Sequence, residues 1–212
     1  MLIDGNVVKN VLNNHNIKVN GVLHIGAHLC EEKPFYNSIL NVPDDNIVWV
    51  ECNPALVNYT TSCGIKNVFC ATLDKEEKEQ VVHLANNGQS SSLLEMGTHA
   101  DYYNHIYYIG DIKVHTKTLS NFLTENKLDE KKYNFYNLDI QGKEYDVLLG
   151  SEHILEHIDA IYTEVNEEYV YKNCGLMKDL DVLLENYGFK RVLTHMTEHK
   201  WGDALYVKNK NS

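Results

Sequence analysis

The chain has 212 residues, with 19 Lys+Arg against 30 Asp+Glu and a formal net charge of −11, a length that allows one full domain or two small ones. At 43% hydrophobic and 23% charged residues it has the composition of an ordinary globular protein, not of a disordered or fibrous one. Arg191 is the only arginine; nucleic acid, bound through basic patches and bidentate arginine contacts, is therefore not an expected partner.

The first twenty residues, polar with scattered Val and Leu, read as a helical lead-in to the core. The apolar run at 21–26 reads as a first strand ending on glycine, and residues 31–40 can be helical with Pro34 in the first turn. Residues 46–51 form a second apolar run, stopped by Cys52-Asn53-Pro54. Helical spacing resumes at Ala55, and residues 67–71 are a third strand candidate. Strands alternating with helical stretches over about thirty residues per unit are βαβ repeats of a parallel sheet.

The middle of the chain differs. Residues 80–85 and 112–116 read as strands flanking a polar loop, 86–111, so that 80–117 form an inserted hairpin and loop. A connection longer than about 15 residues is usually functional or carries structure of its own. Alternation returns with a helix at 119–126, a strand at 133–139, a helix around 144–149, a strand at 160–165, a helix at 177–187 and terminal strands at 191–195 and 204–207; Gly188 suits a helix C-cap. No composition break divides the chain, so the expectation is a single α/β domain over 1–212 with a mostly parallel central sheet flanked by helices. Residues 1–5 do not read as a signal peptide, and no run of about 18 apolar residues reads as a membrane span. The five cysteines, without CxxC spacing, read as free thiols of a reducing compartment, which makes the cytoplasm the expected setting.

Ligands of an open parallel sheet bind beyond the carboxyl ends of its strands. The first strand ends His24-Ile25-Gly26-Ala27-His28, where a glycine lets the backbone approach a ligand. The second ends Val50-Glu51, and an acid there can accept hydrogen bonds from both hydroxyls of a ribose. Together they imply an adenosine-type cofactor. A full GxGxxG is missing, because Ala27, His28, Leu29 and Cys30 follow Gly26; a donor without phosphates, such as S-adenosylmethionine, needs less of that glycine apparatus.

These motifs resemble those of the FkbM-type methyltransferases. His24-Ile25-Gly26-Ala27-His28 and Val50-Glu51-Cys52-Asn53-Pro54 look like the first two cofactor motifs of that family, and Ser90-Ser91-Ser92-Leu93-Leu94 like its serine-rich loop. Val114-His115-Thr116-Lys117-Thr118-Leu119 is similar to its strand-to-helix step, and Leu138-Asp139-Ile140-Gln141-Gly142-Lys143-Glu144 with Val147-Leu148-Leu149-Gly150 is the fullest match. The family often has Asp-x-Gly-Ala-Asn at the first motif, where this chain has His24 and His28 in the acidic and amide positions. The resemblance implies a class I Rossmann-like fold, S-adenosylmethionine as donor and O-methyl transfer, often to sugars or glycosylated natural products.

Expected donor contacts are His24, Gly26, Ala27, His28, Glu51, Cys52, Asn53, Ala71, Ser91, Ser92 and Asp139. Asp139, at a strand end facing the donor, is the expected base, with Glu164 at the next strand end orienting the acceptor. Tyr102, His105, His115 and Gln141 are expected on the acceptor side, the two histidines because their intrinsic pKa lies near neutrality. Asp139 and Glu164 could offer oxygens to Mg²⁺, but no adjacent acid or amide pair follows Glu164, and no metal is expected. The predicted function is O-methylation of a sugar hydroxyl of a glycan or glycoconjugate, with a homodimer unsurprising for the middle hairpin. Its rivals are a nucleotide-binding oxidoreductase and a catalytically inactive Rossmann-like binding module.

Overall fold

The computed structural model describes residues 1–209; residues 210–212 of the expected 1–212 domain lie outside the described residues. In chain order the strands are β1 (Val22–Ile25), β2 (Ile47–Glu51), β3 (Val68–Cys70), β4 (Glu79–Ala85), β5 (Tyr108–His115), β6 (Phe135–Leu138), β7 (Ala160–Asn166), β8 (Phe189–Met196) and β9 (Trp201–Lys208). The helices are α1 (Gly5–Asn14), α2 (Pro54–Ser62), the single turn α3 (His99–Tyr102), α4 (Leu119–Glu125), α5 (Glu144–Leu149) and α6 (Met177–Asn186). Seven strands make one sheet in the order β3-β2-β1-β6-β7-β9-β8, and β4 pairs with β5 in a separate two-stranded sheet. Pairing is parallel from β3 to β7, whereas β9 runs antiparallel to both β7 and β8.

Every residue of β1, β2, β6 and β7 is buried, as expected of parallel strands covered on both faces, and their sequences are accordingly continuous apolar runs rather than alternating ones. Alternate side chains still enter different layers. Leu23 and Ile25 share a core with Phe122 of α4, Val147 of α5 and Leu180 of α6. Val22, Ile47 and Trp49 share the other with Val8 and Leu12 of α1 and with Tyr36. Helix starts follow their caps: Asp4 accepts from the Asn6 and Val7 amides ahead of α1, and Asn53 accepts from Ala55 N ahead of Pro54 in α2.

Two stretches depart from the sequence reading. Residues 33–39 are helical with Pro34 at the start, as expected, but from Phe35 to Ile39 the helix is π-type, closed by Leu40 N donating to Phe35 O at 3.0 Å. The wide turn directs both Phe35 and Tyr36 inward, where their rings meet Phe135 and Trp49, so packing selects the wider turn over the α-helical one. In the inserted region β5 begins at Tyr108, four positions ahead of the expected 112, and α3 lies within the loop. Isolated bridges Leu73–Lys117 and Met96–Tyr171 tie this insertion to the main body. Asp74, fully buried, adds an ion pair to Lys143 Nζ at 2.7 Å and accepts from Gln80 Nε2, joining β4 to the segment after β6.

Gly26 ends β1 at φ +88°, and a Cβ there would lie 1.8 Å from the carbonyl oxygen of Asp139. The glycine is therefore required by the neighbouring strand end, a tighter constraint than the ligand approach inferred from sequence. Gly26→Ala is expected to lower stability by at least about 2 kcal/mol in urea denaturation. Gly64→Ala, at φ +84° with nothing within 4 Å of the added carbon, carries the backbone penalty alone, about 1 kcal/mol.

Candidate active site

The strand order reverses at β1, which has β2 on one side and β6 on the other, and such a switch opens a crevice beyond the strand ends. A cavity of about 480 Å³ occupies it, within the roughly 300–1,000 Å³ range of small-ligand sites. Of the expected site residues, His24, Gly26, Ala27, His28, Glu51, Cys52, Ala71, Ser91, Ser92, Asp139, Gln141 and Glu164 line it.

On one side the Gly26 and Ala27 amides both donate to Val50 O, at 2.8 and 3.0 Å, which locks the β1 turn onto β2. Glu51, 7% exposed, accepts from His28 N at one oxygen and from Asn53 N at the other, each at 2.8 Å. Oε2 retains a lone pair, and Oε1 also accepts from the Cys52 thiol at 3.4 Å, a weak donor that a ligand hydroxyl can displace. These are the features a ribose needs, and they fit the adenosine end of S-adenosylmethionine. Asn53 itself is not in the lining; its side chain caps α2.

The acid centre is built by the loop after β6. Gln141 stands at φ +54° and Gly142 at +100°. Glu144 holds this turn by accepting from Ile140 N at 2.8 Å and Gly142 N at 3.1 Å, and Ser92 Oγ donates to Gln141 O at 2.7 Å. The Gln141 amide is thereby directed between two acids: Nε2 donates to Asp139 Oδ1 and, at 2.9 Å, to Glu164 Oε2, while Oε1 accepts from Tyr171 OH at 2.6 Å. Gln141, expected on the acceptor side, lines the cavity and donates both amide hydrogens to the carboxylates. Burial, then the charge of Asp203, raises the Asp139 carboxyl to about 6. Glu164 is raised further above the usual carboxylate range, by burial first and then by Asp139, Glu144 and Asp203. Burial also pushes Glu144 up to about 7, against its backbone N–H bonds, which pull it down. Asp203, opposite Glu164 in the β7–β9 register, accepts from Leu2 N and Tyr162 OH. It is a cavity acid that strand-end reasoning missed, because it lies inside a terminal antiparallel strand.

His24 faces the α1 side of the sheet between Tyr36 and Trp49, with ring centroids 5.9 and 5.2 Å away. Asn137 Nδ2 donates to Tyr36 OH at 2.7 Å, which leaves the Tyr36 hydrogen for His24 Nδ1 at 3.1 Å and the imidazole proton on Nε2. Burial lowers its pKa to about 4. His24 is thus a neutral, hydrogen-bonded floor to the cavity.

The insertion supplies the remaining wall. Ser91 Oγ donates to Gly88 O and accepts from Ala85 N, and Ser92 bonds the Gln141 loop, so both serines shape the wall through internal bonds. His99, Tyr103, Tyr171 and Trp201 add an aromatic face, with His99 5.0 Å from Tyr103 and 5.4 Å from Tyr171, and with Trp201 Nε1 donating to Tyr103 OH at 3.0 Å. Tyr102, His105 and His115 are not brought to the cavity. Tyr102 stacks on His199 at 4.7 Å and donates to Glu168, His105 is exposed, and His115 sits opposite Glu79 at the far end of the hairpin. A four-residue turn decides this: residues 99 and 103 face inward and 102 outward. Among the described residues no group of three or more His, Cys, Asp or Glu side chains is placed to hold a metal ion, and no helix is long and apolar enough to cross a membrane.

A mainly parallel seven-stranded sheet with a reversed last strand, closed over a crevice at β1 and β6, defines the Rossmann-like fold of the class I methyltransferases. The chain belongs to the FkbM methyltransferase family: the model of the methyltransferase FkbM domain matches residues 10–191. Members of that family take S-adenosylmethionine as donor, and the nucleotide-binding oxidoreductase alternative is not favoured. Among solved structures, a methyltransferase FkbM from Methylobacillus flagellatus KT is similar, at 13% identity and TM-score 0.53 over 90% of this chain. A protein of the NADB-Rossmann superfamily from Streptococcus agalactiae matches at 11% identity and TM-score 0.51 over 100% of it. This chain spans 44% of the first and 71% of the second. No curated protein matches the chain.

The buried imidazole carries a stability signature. A histidine whose pKa is depressed on folding contributes stability that is present above its unfolded value, near 6.5, and is lost as pH falls toward the folded value of about 4. His24→Gln should therefore lose less stability than the parent between pH 7 and 4.5, by up to about 3 kcal/mol in urea denaturation. An identical drop in both proteins would mean that His24 is not the group that titrates.

Proposed function

We propose that the protein is an S-adenosylmethionine-dependent O-methyltransferase acting on a sugar hydroxyl of a glycan or glycoconjugate. The observation that carries this reading is the Asp139–Gln141–Glu164 bridge at the carboxyl edge of β6 and β7, open to the cavity and beside the aromatic wall. Glu51, with the Gly26–Ala27 turn, would hold the ribose and adenosine end of the donor. When bound, the donor supplies a methyl group activated by a sulfonium.

Asp139 takes the proton of the acceptor hydroxyl. A carboxyl held at about 6 is unprotonated at neutral pH yet more basic than a free aspartate, which suits a general base. Glu164, raised well above the usual carboxylate range by burial and by its acidic neighbours, orients the acceptor, while Gln141 fixes both groups. The faces of His99, Tyr103, Tyr171 and Trp201 support the apolar face of a sugar ring. Among the described residues, and apart from the Met1 amino group, Lys143 is the only permanently charged cation in the lining, and it is paired with Asp74 and Asp146, which suits an uncharged acceptor better than an anionic one. The same reading takes residues 1–212 as one catalytic domain working in the cytoplasm, as a monomer or a homodimer.

Calorimetry with S-adenosylhomocysteine and methyl transfer onto a panel of monosaccharides and glycosides test the reading directly. Absence of binding at about 100 µM, or about −5.5 kcal/mol, would sink it. Asp139→Asn keeps an oxygen for Gln141; it is expected to lower kcat about 10²–10⁴-fold and to leave S-adenosylhomocysteine affinity largely intact. In the parent, kcat should fall tenfold per pH unit below about 6, because only unprotonated Asp139 is competent. Asp203→Asn removes a charge that raises Asp139 and should move this limb to lower pH. A limb that stays in place would remove Asp203 from that role.

A further inference from the structure

S-Adenosylmethionine carries an α-ammonium at its methionyl end, and such a group needs a carboxylate when it enters a cavity. The strand-end position where the family often has an acid is His24, buried and tied to Tyr36, and it offers no negative charge. Six carboxylates line the cavity. Five are already engaged. Glu51 accepts from the His28 and Asn53 amides, and Glu31 from Leu29 N and beside the His28 ring. Asp139 and Glu164 share the Gln141 amide, and Asp203 accepts from Leu2 N and Tyr162 OH.

Glu32 differs from all five. Among the described residues no uncharged donor bonds its side chain; Oε2 lies 3.9 Å from His24 Nδ1, and Oε1 lies 3.4 Å from the α-ammonium of Met1. Its backbone is fixed, because Glu32 O accepts from Tyr36 N at 3.1 Å where the π-type turn begins. The chain thus already holds an α-ammonium beside His24, on a lining carboxylate that no neutral hydrogen-bond donor engages among the described residues.

We propose that Glu32 is the counter-ion for the α-ammonium of the donor, supplying from the segment after β1 the charge that His24 does not. This rests on the methyltransferase reading above. The ammonium of Met1 and that of the donor then compete for one carboxylate, so donor entry moves Met1 off Glu32.

The test is a two-by-two calorimetric titration of the full chain: parent and Glu32→Gln, each with S-adenosylhomocysteine and with its analogue lacking the α-amino group. In the parent the analogue should bind about 10- to 100-fold more weakly, the worth of one charge-assisted hydrogen bond. In Glu32→Gln most of that discrimination should vanish, the loss falling on S-adenosylhomocysteine and not on the analogue. Glu32→Asp, which keeps the charge on a shorter arm, should recover part of it, and would carry the comparison if Glu32→Gln did not fold. Equal discrimination in parent and both variants would overturn the proposal while leaving the donor reading intact. Equal affinity of the parent for both ligands would do the same. A parent that binds neither ligand would overturn the donor reading together with the proposal.

Discussion

Two carboxyl groups on neighbouring strands repel one another in a partly enclosed cavity unless a donor stands between them, and Gln141 is that donor. Much of the site follows from keeping its amide in place. The left-handed backbone at Gln141 and Gly142 aims the side chain back across the strand ends. Glu144 occupies the amides that this turn exposes, Ser92 takes its carbonyl, and Tyr171 orients the amide so that nitrogen faces the acids. A strained loop persists only where its surroundings over-determine it, and three side chains, those of Glu144, Ser92 and Tyr171, do so here.

The polar residues of the sheet are arranged around that loop in register. His24 pairs with Asn137 and Asn137 with Tyr162 across β1, β6 and β7, and Asn137, Tyr36 and His24 are joined in a continuous hydrogen-bonded chain. Two residues further along the chain from each of these, Gly26, Asp139 and Glu164 line the cavity. A satisfied polar layer beneath a charged one keeps the acids from facing bare hydrocarbon on that side, and it separates the ligand space from the core built on Val22, Trp49 and Phe135.

The order of strands and helices was legible because parallel strands buried on both faces must be continuous apolar runs. Those at 21–26, 46–51 and 160–165 are punctuated by the turn residues that end them. Glu51 and Asp139 stand at the strand ends read for them, whereas Glu164 lies two residues inside β7, which runs on to Asn166. What the sequence did not disclose depended on packing or on backbone signs without a residue signature. Nothing about glutamine announces a positive φ, so the bracing of the two acids by Gln141 was not legible. Residues 33–39 are helical as read, but the π-type widening that buries Phe35 and Tyr36 has no sequence signature. In the insertion, Tyr102 and Tyr103 are indistinguishable as letters, and only the turn at α3 decides which one enters the cavity.

Two physically separate parts of the chain meet at the cavity: strand ends of the central sheet and the hairpin insertion. They are joined by a small number of defined couplings, including the Ser92–Gln141 bond, the Met96–Tyr171 bridge and the Lys143–Asp74 pair. Because the inward-facing residues at 99 and 103 belong to the insertion alone, drift there can reshape what is recognised without disturbing how the acids are held. Such modularity gives a lineage room to change acceptors while its chemistry stands still, provided the few bolts between the two parts are kept.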